Sequence, residues 1–360
     1  MKILLCITKM DMGGAETHLL ELARELTRLG HKVDIAAGPG RLSAEAEATG
    51  LRVFSLPPWR RSPGGLWRLG RRLSKIVKRG GYHVIHAHSR PVARAARSIA
   101  RRRGLSFVVT AHAYFNMKGF GRLSEWGNRT IAVSRDIKEL LARCGVRERH
   151  IYLIPNGIDT ARFCPAGEAC PAGSPQGRRV VFVSRLDNDC SAVAMLLCRL
   201  AGRLNAAFPD ISMQIVGGGD AYGQVEGLAE LMNTACGRVV VSMMGARRDV
   251  ETVLQGAALF VGVSRAAMEA AACGLPVIIA GNEGYGGIFR PTGQRDDTNL
   301  CARGQDLPQA EGLFEDICRV LNMTAAERRE LGRRGRQYVL THHSLTAMAR
   351  QTLTVYERAY

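Results

Sequence analysis

Short apolar runs alternate with amphipathic stretches along most of the chain. KILLCIT (2–8) has the length and composition of a strand. After KMDMGGAE, the set Leu19, Leu22, Ala23, Leu26 and Leu29 recurs at helical spacing and predicts a helix from about Ala15 to Leu29, capped by Gly30. HKVDIAAG, YHVIHAH, LSFVVTAH and RTIAVS are further short strands, each followed by polar or helical sequence. A Pro/Gly/Ala-rich break, CPAGEACPAGSPQG (164–177), interrupts the pattern. It restarts with the strand RRVVFVSRL and a helix over 191–207, then the strands ISMQIVGGG, RVVVSMMG, AALFVGVS and LPVIIAG. Two helices close the chain, MTAAERRELGRRGRQYVL and SLTAMARQTLTVYERAY. Short apolar strands separated by helices bury both faces of a parallel sheet, so each half predicts a doubly wound α/β domain. A chain of 360 residues is also too long for one ordinary core. The expected division is a first domain over 1–165, a linker over 166–177, a second domain over 178–344, and a last helix, about 345–360, packed back on the first. Ligands of such sheets bind beyond the C-terminal strand ends and, between two domains, in a cleft.

Composition narrows the picture. The ten cysteines are scattered, with no C-x-x-C pair and no His/Cys cluster of metal-ligand spacing, so reduced thiols and no metal are expected. The apolar run at Ile3–Ile7 is too short for a signal peptide, and no run approaches the ~18 residues of a membrane span, so a cytoplasmic protein is expected. The net charge of +18 is placed unevenly. Residues 1–165 hold 30 Lys+Arg against 12 Asp+Glu, whereas residues 166–360 hold 20 of each. Between Glu47 and Glu125 there are 17 basic residues and no acidic one. Within this segment Leu66, Trp67, Leu69, Leu73, Ile76 and Val77 interleave with Arg68, Arg71, Arg72, Lys75, Lys78 and Arg79. A helix here gathers most of the apolar set on one side with cations around it, the pattern of a helix lying on an anionic bilayer. The plainer alternative is an amphipathic helix packed on its own domain with a solvated basic face. Nucleic acid is not an expected partner, because no helix-turn-helix, zinc-finger or aromatic RNA-binding signature accompanies the charge.

Several strand ends carry candidate chemistry. Gly13, Gly14 and Glu16 of MGGAE join the first strand to the first helix. There glycines let a backbone approach an anion and a helix N-terminus supplies free N–H groups. A plain tight turn is the bland alternative, and the loop is not the G-x-G-x-x-G dinucleotide fingerprint. His112 ends the strand of TAHAYF, and His88 ends IHAHS; each is either a hydrogen-bond donor to a substrate or a structural histidine. Asn156-Gly157 in IPNGIDTARF is a turn signal. Arg185 lies just past the first strand of the second half, where a guanidinium clamps a phosphate bidentately, and Gly217 and Gly218 of IVGGGD form another strand-end loop. Glu269 is a lone carboxylate in the alanine run AMEAAACGLPVI.

Taken in order, MKILLCITKMDMGGAETHLLELARELTRLGHKV, VVTAHAYF, IAVSRDIKELL, IYLIPNGIDTARF, VSRL, IVGGGD and MEAAACGLPVI resemble the retaining, nucleotide-sugar-dependent glycosyltransferases of family 4, over Met1 to about Gly287. The resemblance implies the GT-B fold, two doubly wound Rossmann-like domains facing across a cleft. It also implies roles: Glu269 binds the ribose hydroxyls, Gly13 and Gly14 approach the diphosphate, Arg185 stabilises it, His112 contacts the donor sugar, and Gly245 lies near the base. The chain departs from the family twice. The second Glu, usually eight positions before the ribose Glu, is Val261 here, and the loop that carries it is expected to be shortened to Ser264-Arg265-Ala266-Ala267. The Lys usually five residues after the diphosphate Arg is Cys190, and Lys138 is the last lysine in the chain. Arg265, Arg247 and Arg248 are the candidate replacement cations, and Glu283 of GNEGYGG the candidate replacement for the lost Glu.

The resemblance implies transfer of a sugar, with retention, from a nucleoside diphosphate sugar (UDP ahead of GDP) used as co-substrate. No cofactor and no divalent metal are expected, since DND at 187–189 stands where the family has an ordinary loop. The acceptor is expected to be lipid-linked or part of a cell-surface glycan, met at the inner face of the membrane. Two other readings stay open, a nucleotide-sugar- or glycan-binding subunit without turnover and a UDP-sugar epimerase. A phosphorylase would need a lysine in the second domain, and there is none.

Overall fold

The computed structural model describes every residue except 12, 61, 114–124, 167–176, 293–299, 304 and 359–360. The expected linker, all but its end residues 166 and 177, therefore lies outside the described residues. The chain forms two compact units, Met1–Gly157 with Leu345–Tyr360, and Ile158–Ser344. The expected first domain ran on to 165. Ile158 and Phe163 instead belong to the second unit, buried with Phe260 and Met268, and Gln255 Nε2 donates to the Cys164 carbonyl at 3.0 Å.

In the first unit β1 (Lys2–Ile7), β2 (Lys32–Ala37), β3 (Arg52–Ser55), β4 (Val84–Ala87), β5 (Ser106–Ala111), β6 (Arg129–Ala132) and β7 (Ile151–Leu153) form one parallel sheet in the order β3-β2-β1-β4-β5-β6-β7. Helices α1 (Gly14–Arg28), α2 (Leu42–Ala48), α3 (Pro63–Gly80), α4 (Arg90–Arg103) and α5 (Arg135–Arg143) connect them. Side chains alternate across a strand, and β1 is apolar on both faces. Leu4 and Cys6 meet the cluster under α3 and α4, while Ile3, Leu5 and Ile7 meet the cluster under α1.

The second unit holds β8 (Arg178–Val183), α6 (Ala192–Ala207), β9 (Ile211–Val216), α7 (Tyr222–Cys236), β10 (Val241–Gly245), α8 (Val250–Gln255), β11 (Leu259–Gly262), α9 (Ser264–Ala272), β12 (Val277–Gly281), β13 (Gly284–Ile288), α10 (Ala310–Asn322) and α11 (Ala325–His342). Its sheet runs β10-β9-β8-β11-β12-β13, parallel except for β13, which returns antiparallel along β12. GNEGYGG is thus a tight turn and an edge strand. Its glycines hide the strand pattern, yet Gly284 has no room for a side chain: a Cβ there would lie 1.7 Å from the Ala302 carbonyl oxygen. Tyr285 fixes the strand by donating to Asp316 Oδ2 on α10 at 2.6 Å. The alanine run of α9 also has a packing cause. Ala267, Ala270, Ala271 and Ala272 are fully buried, and α11 crosses so closely that a Cβ on Gly332 would meet the Gly274 carbonyl oxygen at 1.8 Å.

Helix α12 (Leu345–Arg358) belongs to the first unit, where Met348, Ala349, Val355 and Tyr356 join Ile3, Leu5 and Leu22 in one buried cluster. Tyr356 also anchors a buried polar chain, in which His86 Nδ1 lies 2.7 Å from the Tyr356 hydroxyl and His86 Nε2 lies 2.7 Å from Thr110 Oγ1. Burial first, and His18 second, hold the His86 pKa down at about 3. The folded chain therefore keeps His86 neutral while the unfolded chain takes a proton near its ordinary value of about 6.5. His86 stabilises the fold fully above that pH, and its contribution is lost as pH falls from about 6.5 towards 3. Tyr356→Phe strands a ring nitrogen of His86 and should lower stability by about 1–3 kcal/mol in denaturant unfolding. His86→Gln should flatten the fall in Tm between pH 6.5 and 4 relative to the wild type, with proton uptake on unfolding reduced by up to about one per chain.

Candidate donor and acceptor sites

Both sheets reverse their strand order once, between β1 and β4 in the first unit and between β8 and β11 in the second. Connections leave the two strands at such a point on opposite faces and open a crevice at their C-terminal ends. Gly13, Gly14, Glu16, His88, Arg185, Arg265 and Glu269 lie at these two places, His112 and Gly217 follow the next strand, and Gly245, Arg247 and Glu283 lie toward the edges of the second sheet.

In the first unit Gly13 is the extended N-cap residue of α1, and Glu16 in the first turn folds back over it, with Oε2 at 2.5 Å from where a Gly13 Cβ would stand. A Cβ on Gly14 would meet nothing within 4 Å. Met12 of the same loop lies outside the described residues, as do residues 114–124. His88 and His112 follow β4 and β5, and His18 rises from α1 between them. His88 Nδ1 and His112 Nε2 are hydrogen-bonded at 3.0 Å, and His18 Nδ1 is held by Asn156 Oδ1 at 3.0 Å. Burial first, and then His86, His112 and His18, hold the His88 pKa well below its ordinary value. Asn156 is thus more than a turn residue. His18 escaped the sequence reading because it sits on a helix face that otherwise reads as core; its place one turn beyond GGAE was the available signal.

In the second unit Arg185 follows β8. Its side chain is 60% exposed, and Nη1 donates to Asp187 Oδ2 at 2.6 Å. Asp187, the first residue of DND, is therefore the direct partner of the phosphate-clamping candidate. Cys190 Sγ lies 3.8 Å from Arg185 Nη2, and burial raises its pKa, so a neutral thiol stands where the family has a cation. Gly217, after β9, has φ +152°, and a Cβ there would lie 1.8 Å from the Ser184 carbonyl oxygen. Only glycine fits that conformation. Gly218 has ordinary room, and Gly245, ending β10, has a left-handed φ of +65°.

The segment Ser264-Arg265-Ala266-Ala267, expected to be a shortened loop, is the first turn of α9. One residue, Val263, separates β11 from the helix, and the turn is made by Gly262 at φ +152° and Ser264 at φ +58°. Val261 is fully buried within β11, so that position offers nothing to a ligand. Arg265 is likewise buried rather than carried on an open loop. Its Nε donates to Glu269 Oε1 at 2.8 Å one helical turn on, both side chains only about a tenth exposed. Arg247 is paired with Asp249, and Glu283 with Arg303. Asn282, beside Glu283, donates to the Asp189 carbonyl and ties the β12–β13 turn to the loop after β8.

The basic segment forms α3 as expected, with Leu69, Leu73, Ile76 and Val77 buried and Arg68, Arg71, Arg72, Lys75, Lys78 and Arg79 exposed. Trp67 leaves the expected apolar side. It is 63% exposed, with the Arg71 guanidinium over its ring at 5.3 Å. Helix α4 packs beside α3 and exposes Arg90, Arg94, Arg97, Arg101, Arg102 and Arg103. A cavity of about 400 Å³ lined by Ser74, Ile99, Arg102 and Arg103 opens between the two helices. Among the described residues no helix is long and apolar enough to cross a membrane.

The family model Glycosyltransferase Family 4 matches residues 12–162, and the model Glycosyl transferases group 1 matches residues 177–322. The chain is 30% identical to a phosphatidyl-myo-inositol mannosyltransferase of Mycolicibacterium smegmatis over 60% of its length and 58% of the relative's. It is 29% identical to a phosphatidylinositol N-acetylglucosaminyltransferase subunit of Homo sapiens over 74% and 59% respectively. The chain thus spans about six-tenths of the length of these relatives. Its fold matches that of Anabaena HepE in complex with UDP-glucose, with a TM-score of 0.76 at 15% identity over 99% of this chain and all of that one. Two doubly wound units, motifs in family order from the first strand to α9, and two family models that together reach from residue 12 to 322 place the chain in glycosyltransferase family 4, with the GT-B fold.

Proposed function

We propose that the protein transfers a sugar, with retention, from a nucleoside diphosphate sugar to a lipid-linked or cell-surface glycan acceptor at a membrane surface. UDP is the nucleotide we favour, as held by the HepE neighbour. The observation that carries this reading is the pairing of Glu269 with Arg265 at the strand-order reversal that also holds Arg185. A nearly buried carboxylate on an alanine helix needs a partner, and Arg265 supplies it while α9 presents Glu269 to a ribose diol. Arg185, with most of its surface open, meets the diphosphate. The anomeric C–O bond breaks as the nucleotide diphosphate leaves, the acceptor hydroxyl attacks the same face, and the leaving phosphate takes its proton. No protein nucleophile and no metal at the leaving group are required, so catalysis is chiefly stabilisation of the departing charge. From the family pattern, His112 takes the donor sugar.

The relatives' names point to phosphatidylinositol lipids as their acceptors, which supports a lipid acceptor here. The exposed cations of α3 and α4, with Trp67 among them, suit an anionic bilayer, where each Lys or Arg contributes about 1 kcal/mol. The second reading, a nucleotide-sugar-binding subunit without turnover, draws on the neutral Cys190 thiol: one missing cation at the leaving group costs about 10²–10³-fold in rate if nothing replaces it.

The test is release of free nucleotide diphosphate from a panel of UDP- and GDP-sugars, with and without anionic vesicles carrying a lipid extract. Turnover of one donor that requires the extract supports the transferase. Donor binding without turnover supports the binding subunit, and sugar interconversion without acceptor an epimerase. Glu269→Ala should raise the donor KM about 10–100-fold through loss of charge-assisted hydrogen bonds. Arg265→Met removes a charged partner from the nearly buried Glu269 and should destabilise the protein by about 1–3 kcal/mol in denaturant unfolding, with Arg265→Lys in between. The triple variant Arg68→Glu, Arg71→Glu, Lys75→Glu should lose sedimentation with anionic vesicles at 0.1 M salt while keeping donor binding.

A further inference from the structure

We propose that His18, His88 and His112 form a binding site for one divalent transition cation of the zinc, cobalt or nickel class. One nitrogen from each ring can serve as ligand, and these three atoms all lie within 4.8 Å of one another. A tetrahedral ion with metal–nitrogen bonds of about 2.0–2.1 Å needs them about 3.3 Å apart, so the widest pair closes by at most roughly 1.5 Å. The ring centroids are already 4.7–5.6 Å apart, from His18 to His112 and His88.

Two further features suit a metal. His88 Nδ1 and His112 Nε2 already stand 3.0 Å apart, and a bound ion would take the place of the hydrogen bond they share. Asn156 Oδ1 holds His18 Nδ1 at 3.0 Å and fixes that ring, as outer partners of metal-binding histidines do. Behind them His86 is fully engaged with Tyr356 and Thr110 and serves as a rigid wall. Three imidazoles leave the fourth tetrahedral position open, as in three-histidine zinc sites. The three residues come from α1, the end of β4 and the end of β5, so no sequence spacing announces them, and the absence of a metal motif from the sequence does not bear on this site. Resting on the transferase reading, one consequence follows: a bound ion engages His112 and withdraws it from the donor sugar, so that micromolar metal inhibits rather than activates.

The test is titration of the metal-free, reduced protein with Co²⁺, read by visible absorption. The expected result is one ion per chain with tetrahedral d–d bands and no thiolate-to-metal charge transfer, which excludes the cysteines as ligands. His18→Gln, His88→Gln and His112→Gln should each abolish those bands. Asn156→Ala should weaken binding about 10–100-fold. An unchanged far-ultraviolet circular dichroism spectrum with a cooperative thermal transition reports that each variant is folded. Thiolate charge transfer, octahedral bands in the wild type, or tetrahedral binding that survives in a folded His88→Gln protein would overturn the proposal. Thiolate or octahedral bands in the wild type overturn the proposal even where a variant does not fold, and the result is independent of whether the chain proves to be a transferase.

Discussion

Everything placed at the candidate sites depends on one constraint, the reversal of strand order in each parallel sheet. A parallel strand must be followed by a crossover, and crossovers are right-handed, so the direction in which strands are added decides the face on which a connection lies. Between β1 and β4, and between β8 and β11, the direction changes and the connections part. The groups that follow those strands include the GGAE turn, His88, Arg185 and the first turn of α9. Of these, Arg185 keeps most of its surface open, whereas His88 and Arg265 are buried beside the crevices.

The remaining chemistry follows from how tight the connections are. At the second reversal only Val263 separates strand from helix, with Gly262 and Ser264 both at positive φ. That shortness leaves no loop before α9 and puts Arg265 inside, one turn from Glu269. The carboxylate and guanidinium thus form a local unit on one helix, wedged by alanines against α11. On the other side, Arg185 is held by Asp187 next to a neutral thiol. On the proposed reading the donor site is built around arginines, each with a carboxylate partner.

The doubly wound architecture was legible because β1, β8 and their neighbours are apolar on both faces, a pattern helices cannot imitate at that length. The short β3 and β7, and β13 with its three glycines, were not legible, because their pairing is set by neighbouring strands rather than by their own side chains. Arg185, Glu269 and His112 could be singled out because VSRL, MEAAACGLPVI and VVTAHAYF resemble, in order, the motifs of one family; none of the three residues stands out by itself. The Arg265–Glu269 pair required knowing that 264–267 is helical, which φ values at Gly262 and Ser264 decide and sequence does not display. The histidine cluster was hidden for another reason: His18, His88 and His112 are far apart in the chain, and Asn156 lies 138 residues from the His18 it orients.

The central claim is that Glu269 reads the ribose of a nucleotide. It is tested most directly by calorimetric binding of UDP, 2′-deoxy-UDP and 3′-deoxy-UDP to the wild type and to Glu269→Ala. The account predicts that the wild type loses about 10–100-fold in affinity when either hydroxyl is removed, as expected for hydrogen bonds to a charged group, and that the variant binds all three nucleotides alike. Equal affinity of the wild type for the three, or a hydroxyl preference that persists in the variant, would contradict it.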